Sequence, residues 1–126
     1  MKHTILSAVD RLLPDEDYEL AEPYEYENLI FYNPSVTKPT KEAIENKIAE
    51  LDAAEAMLLL REERNDRLIE TDWTQMNDIS SETKAKWSAY RQALRDMPAT
   101  ASPQLDAGHQ LDMTSVTWPT KPSETS

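Results

Sequence analysis

The sequence is poor in glycine and has no cysteine. Its 126 residues include a single glycine, Gly108. Tight hairpins and sharp strand corners usually need residues that accept a positive φ, so this scarcity argues against a many-stranded sandwich or barrel. It also excludes a glycine-rich phosphate loop. Without cysteine there is no disulfide framework, no thiolate metal site and no thiol nucleophile. The composition therefore favours helices joined by polar loops.

Positive charge and long apolar runs are also scarce. The chain has 13 Lys and Arg against 24 Asp and Glu, which gives a formal net charge of −11. Such a field repels phosphate backbones, and no basic stripe interrupts it. No apolar run approaches membrane-spanning length, and residues 1–13 do not resemble a signal peptide. We therefore predict no nucleic-acid partner, no membrane partner and a cytosolic location.

The residues that usually carry catalysis or bind metals form no recognisable pattern. His3 and His109 lie far apart in sequence and belong to no zinc-type ligand pair. Carboxylates are abundant along 42–63, but they are interspersed with Lys and Arg, as on a solvated helix face. A serine nucleophile elbow and a calcium loop are both missing. We therefore predict no catalytic residue, no cofactor and no metal site, and thus no enzyme.

The first third of the chain predicts a short helix followed by a small β element. Apolar residues over 4–13 follow helical spacing, a threonine or serine near the start can cap the helix, and Pro14 ends it. The aromatic and β-branched residues that follow predict two short strands near 18–22 and 28–32. Because so small a hairpin is marginal in water, it must pack on a helix or a partner. We interpret 1–39 as an attachment module of helix plus β-hairpin.

The longest predicted element is a helix over about 41–70, capped by Thr40. This stretch has no Pro or Gly and is dominated by strong helix formers. Four of its residues recur every seven positions and form a candidate coiled-coil seam, which would suit a homotrimer: Ile44, Leu51, Leu58 and Asn65. An ordinary packed helix explains the same apolar residues, and the seam also takes Lys47 and Arg61. Both interpretations stay open.

A second helix is predicted over about 81–97, where apolar residues recur at spacings of three and four until Pro98. With the long helix it would form a helical-hairpin domain over 40–98. Six large apolar residues are expected to bury against one another in this hairpin: Leu68, Trp73, Met76, Trp87, Tyr90 and Leu94. The predicted fold class is thus mainly α with a small β element.

Two arginines on adjacent turns of the second helix, Arg91 and Arg95, can reach back across the hairpin. Three acidic residues are their candidate partners: Asp72, Asp66 and Glu62. The region that follows, 99–126, is rich in Pro, Ser and Thr. It is predicted to be an extended tail with one short strand near 114–118.

Four motifs in the second half of the chain carry a family resemblance. They read Arg-Asn-x-x-Leu at 64–68, Thr-Asp-Trp-Thr-Gln at 71–75, Trp-x-x-Tyr-Arg-Gln-Ala-Leu-Arg-Asp-x-Pro at 87–98 and Trp-Pro-Thr-Lys-Pro at 118–122. Together they resemble the phage tail assembly chaperone family. The resemblance implies an accessory of the tail fibre or distal tail that binds a tail-fibre or other tail protein. It would act in the host cytoplasm during assembly or stay in the virion tail.

The resemblance supplies no catalytic residues, but it marks candidate partner contacts: Asn65, Asp72, Trp73, Trp87, Tyr90, Arg91, Leu94, Arg95 and Trp118. The alternative is that most of them hold the hairpin together. Trp73 beside a turn and Trp118 in the tail are the best contact candidates, because an exposed large aromatic suits an interface anchor. The leading hypothesis is an assembly chaperone. The alternative is a permanent virion component, such as an adaptor or hinge in a tail fibre or baseplate. Such a component could form a trimer through the long helix.

Overall fold

The computed structural model describes residues 3–123, and within them the chain forms three α-helices and one two-stranded antiparallel sheet. The helices are α1 (Ile5–Leu12), α2 (Lys41–Glu70) and α3 (Ser81–Asp96), and the strands are β1 (Tyr18–Leu20) and β2 (Leu29–Phe31). The predicted mainly α fold with a small β element is confirmed. The chain divides into two compact units, Met1–Ala54 (unit 1) and Glu55–Ser126 (unit 2).

In unit 1, a reciprocal capping box starts α1. The Ser7 N–H donates to the Thr4 hydroxyl at 3.5 Å, and the Thr4 N–H donates to the Ser7 hydroxyl at 3.4 Å. These bonds satisfy donors that the first helical turn leaves free. One face of α1 then packs against β2 and the start of α2. The residues most deeply buried in this cluster are Ala8, Val9, Leu29 and Ile44.

The two strands form the predicted hairpin, with Glu19 opposite Ile30 at its centre. Because side chains alternate between the faces of a strand, the neighbouring pair Tyr18 and Phe31 lies on the packed face, with ring centroids 5.8 Å apart. Ile30 is exposed on the other face. In the connection between the strands, Tyr24 has a positive φ of 60°.

The hydroxyl of Tyr18 donates a hydrogen bond of 2.6 Å to the carboxylate of Asp10. Burial, and then the hydrogen bond to Asp10 and its charge, raises the pKa of Tyr18 from 10.0 to about 12. The pKa of Tyr18 is higher in the folded than in the unfolded protein. The protonated hydroxyl therefore stabilises the fold fully below the unfolded pKa, and this contribution to the free energy of unfolding is lost as the pH rises through the folded pKa.

We therefore expect the free energy of unfolding to fall less steeply between pH 10 and about 12 in Tyr18→Phe than in the natural protein. Urea denaturation followed by far-UV circular dichroism at several pH values measures this slope. Identical slopes in the two proteins would show that Tyr18 ionisation does not contribute.

α2 begins at the predicted cap, where the Ala43 N–H donates to the Thr40 hydroxyl at 3.0 Å. Charged residues recur along all 30 residues of α2. No helix in the described part of the chain combines the length and apolarity that crossing a membrane requires.

The core of unit 2 is formed by α2, α3 and the region after α3. Its buried residues are Leu60, Trp87, Tyr90, Leu94, Met97 and Val116, with Leu68 packed at the edge. The expected burial of Trp73 and Met76 is wrong, because they are 48% and 58% exposed. The short 3₁₀ turn Asp72–Gln75 directs Thr74 inward instead, where its hydroxyl donates to the Thr71 carbonyl at 2.6 Å.

The tail is anchored to unit 2 by Val116, which is buried in its core. Leu105 is also buried and forms an isolated bridge with Leu111. The strand expected near 114–118 is wrong. Met113–Ser115 is a 3₁₀ turn, because the side chain of its N-cap, Asp112, accepts a 3.0 Å hydrogen bond from the Thr114 N–H.

Candidate functional site

The turn between α2 and α3 is braced by Arg91, a mostly buried residue of α3. Its Nη1 donates to the Leu68 carbonyl at 2.7 Å and to the Thr71 hydroxyl at 2.9 Å. Its Nη2 lies 2.9 Å from Oδ1 of Asp72, which is largely exposed. The Leu68 carbonyl belongs to the last turn of α2, where carbonyls lack helical partners and a cation is favoured. Arg91 therefore caps α2 and fixes the start of the turn.

A second set of hydrogen bonds attaches the end of the turn to α3. The Gln75 amide donates to the Thr74 hydroxyl at 3.1 Å and to the Lys84 carbonyl at 3.4 Å. The Ser88 hydroxyl donates to the Gln75 side-chain oxygen at 2.9 Å. Thr71, Thr74 and Gln75 were not among the sequence candidates, although the Thr-Asp-Trp-Thr-Gln motif contains them all. The polar residues of this motif hold the backbone on both sides of Trp73.

Trp73 is held in place and half exposed. Its ring lies 6.0 Å from that of Trp87, measured between centroids, and Trp87 makes an edge-on contact with Tyr90 at 5.8 Å. Two more exposed apolar residues, Ile69 and Met76, occur within the same eight-residue stretch. We call Ile69, Trp73 and Met76 the exposed turn residues. Tryptophan is a residue type that commonly anchors protein interfaces.

Most other motif candidates serve the fold of unit 2. Trp87, Tyr90 and Leu94 are buried in its core. The ring of Trp118 packs against that core, and the Arg67 guanidinium lies 4.0 Å from its centroid. Trp118 is therefore partly covered, which leaves Trp73 as the stronger contact candidate.

The remaining motif candidates lie on the surface. Asn65 is exposed and accepts a 2.9 Å hydrogen bond from Nε of its neighbour Arg64. Arg95 is exposed, and within residues 3–123 it forms no ion pair with Asp66 or Glu62. Arg91, through its contact with Asp72, is therefore the arginine that makes the predicted contact across the hairpin.

The heptad residues of α2 have different surroundings. Ile44 is buried in the core of unit 1, and Leu51 is partly buried. Leu58 is 55% exposed, and Asn65 is exposed as well. Exposed seam residues are thus confined to Leu58 and Asn65, with Leu51 partly accessible.

The segment that contains the braced turn also carries a match to a protein family. The family described as phage tail assembly chaperone protein matches residues 57–123, which are 67 of the 126 residues. The chain belongs to this family. The match falls within unit 2 and includes the turn, α3 and the anchored tail. Neither a curated protein nor a solved structure gives a match to the chain.

Membership of the phage tail assembly chaperone family gives the protein a role in phage tail assembly, in association with phage tail proteins. This chaperone-type assembly family is not an enzyme family. The exposed turn residues lie inside the segment that matches the family.

Proposed function

We propose that the protein binds a tail-fibre or other distal tail protein through the exposed turn residues and assists its folding or assembly. The observation that carries this proposal is Trp73, half exposed in a turn whose backbone is fixed on both sides. Trp73 lies within the segment that matches the family.

Fixing an aromatic side chain before binding favours affinity. A free tryptophan loses rotamer freedom when it is buried in an interface, and a side chain already held in place loses less. Contact with Trp87 and the braces from Arg91 and Gln75 supply this preorganisation in unit 2. Ile69 and Met76 add apolar surface that a partner can cover.

We expect Trp73→Ala to weaken binding of the tail-fibre protein of the same phage by about 30-fold or more, because truncating a central interface tryptophan typically costs at least about 2 kcal/mol. Surface plasmon resonance with the purified fibre protein measures this loss. The matched control is Tyr32→Ala, which removes an aromatic from unit 1 that is 60% exposed, compared with 48% for Trp73.

A second variant separates binding from folding. Ile69 is 68% exposed, so Ile69→Asp changes the proposed surface without opening the core. It should also weaken binding while leaving the urea midpoint of unit 2 near that of the natural protein. If both Trp73→Ala and Ile69→Asp bind like Tyr32→Ala, the fibre contact lies elsewhere and the proposal is wrong.

We propose that the protein is a transient chaperone that leaves the finished particle. The alternative is that it remains as a permanent component. Quantitative mass spectrometry of purified virions distinguishes the two roles. A chaperone is absent from particles or present far below the copy number of the fibre. Stoichiometric copies would reject the transient role and favour an adaptor or hinge in the fibre or baseplate.

The exposure of Leu58 favours one form of the permanent role, in which α2 associates with two other copies. In that arrangement Leu51, Leu58 and Asn65 would line the seam. Light scattering should then give a trimer that dissociates in Leu58→Asp. A monomeric natural protein would reject this assembly.

A further inference from the structure

Unit 1 carries an open groove of about 540 Å³, separate from the turn described above. Its apolar lining comes from α1 and α2: Ile5, Ile44 and Ile48. Tyr26 completes this floor, and its hydroxyl donates to the Pro39 carbonyl at 2.5 Å. The groove therefore has a fixed apolar base formed by residues that also belong to the packed cluster of unit 1.

The rim of the groove is acidic. Glu25, Glu27 and Glu45 line it together with one cation, Lys41. All three glutamates are exposed, and none of them forms an ion pair within residues 3–123. A second ammonium group, that of Lys38, lies 4.2 Å from the ring centroid of Tyr26. Three carboxylates against two ammonium groups leave an excess of one negative charge beside the apolar floor.

We propose that this groove binds a basic, apolar peptide segment of a partner protein. Lys and Arg side chains combine an aliphatic stem with a charged head, so the stem can cover the isoleucine floor while the head reaches a rim carboxylate. Neighbouring apolar residues of the same segment would fill the rest of the floor. The acidic net charge of the chain, −11, attracts such a segment from a distance.

The position of the cation in the groove follows from the charges around it. Lys41 is the first residue of α2, so its ammonium group and the positive end of the helix dipole share one side of the groove. An incoming cation is repelled there. Glu25 and Glu27, which lie outside α2, are therefore its favoured partners.

Tyr24 supplies an exposed aromatic side chain at the groove. It lines the groove, is 59% exposed and has a φ of 60°, a backbone conformation that a bulky side chain rarely adopts. Its hydroxyl donates to Glu22 at 2.9 Å. The face of this ring can receive a guanidinium group, as the neighbouring Tyr26 ring receives Lys38 Nζ at 4.2 Å.

The test uses a short fluorescein-labelled peptide of leucine and arginine as the probe, with fluorescence anisotropy on the full chain. We expect saturable binding that Glu25→Gln/Glu27→Gln weakens by about 5- to 10-fold. The matched control is Asp15→Asn/Asp17→Asn, which removes the same charge from unit 1 outside the groove and should weaken binding less than about twofold.

Three results would overturn the proposal. Equal weakening by the two double variants would show that only the overall field attracts the peptide. Binding of a leucine and glutamate peptide with the same affinity would show that charge plays no part, and absence of saturable binding would show that the groove takes no such segment. If sedimentation shows that the groove variant instead dissociates a self-associated protein, the occupant is a second copy.

This inference is independent of the proposed function. Trp73→Ala lies in unit 2 and should leave binding of the leucine and arginine peptide unchanged. Conversely, Glu25→Gln/Glu27→Gln should leave binding through the exposed turn residues unchanged if the two surfaces take different segments. The groove would then supply the contact expected of the N-terminal attachment module.

Discussion

Leu60→Ala should lower the free energy of unfolding of unit 2 by about 3–4 kcal/mol, because it removes a fully buried side chain. Leu60 belongs to the same cluster as Trp87, Leu94 and Val116, so its loss leaves a cavity where α2, α3 and the tail converge. These neighbours come from two separate segments, α3 and the tail, so the cavity cannot close by moving one side chain.

A matched control lies two residues away on the same helix. Leu58 is 55% exposed, so Leu58→Ala removes the same atoms from the surface and should cost less than about 1 kcal/mol. Helix propensity contributes little to either change, since Leu and Ala are both good helix formers. Equal losses in the two variants would contradict the burial of Leu60.

Tryptophan fluorescence during urea denaturation measures this difference in unit 2. The three tryptophans, Trp73, Trp87 and Trp118, all lie after Glu55, so their emission follows unit 2 without contribution from unit 1. Far-UV circular dichroism records both units and shows whether they unfold together.

Arg91→Met should destabilise unit 2 by about 2–3 kcal/mol. Methionine fills much of the same volume but cannot donate to the Leu68 carbonyl or the Thr71 hydroxyl. A hydrogen bond from a charged donor contributes about 1.5–3 kcal/mol. The total loss stays near the value of one such bond because the Leu68 carbonyl still accepts from the Thr71 N–H at 3.1 Å. The contact with Asp72 adds little, because that carboxylate is largely exposed and water replaces the arginine.

Arg95→Met is the control for this prediction. Arg95 occupies the next turn of α3 and is exposed, so its replacement should change stability by less than about 0.5 kcal/mol. Urea denaturation followed by tryptophan fluorescence compares the two variants. In addition, Arg91→Met should shift the emission of Trp73 toward that of a solvated indole, since the turn beside it is no longer held. Similar stability of the two variants would show that Arg91 does not brace the turn.

The sequence predicts the helices well because their limits depend on local chemistry. α2 runs through a stretch without Pro or Gly and starts at Thr40, whose hydroxyl accepts from the Ala43 N–H. The aromatic and β-branched residues near 18–22 and 28–32 likewise predict the hairpin. The strand expected near 114–118 fails because a side chain, Asp112, closes a turn there, and such a hydrogen bond competes with strand pairing.

The site is only partly predictable from the sequence. Arg91 was expected to reach Asp72, and it does, but its stronger anchor is a backbone carbonyl, which has no signature in the residue pattern. For Trp73 the sequence left two interpretations, burial in the hairpin and exposure as a contact residue. Periodicity places apolar residues on a common face only within one helix, whereas Trp73 lies in a turn whose direction depends on Thr74 and Gln75.

The packing of Val116 against the cluster that contains Leu60 has a kinetic consequence. A helical hairpin alone would fold quickly, since its contacts are close in sequence. The core of unit 2 also requires closure of a loop between Leu60 and Val116, which are more than 50 residues apart. Such distant contacts slow folding because chain entropy is lost before they form. We therefore expect docking of the tail to be the late step in folding of unit 2, so that a partner binding the turn would meet a formed hairpin whose core is still open.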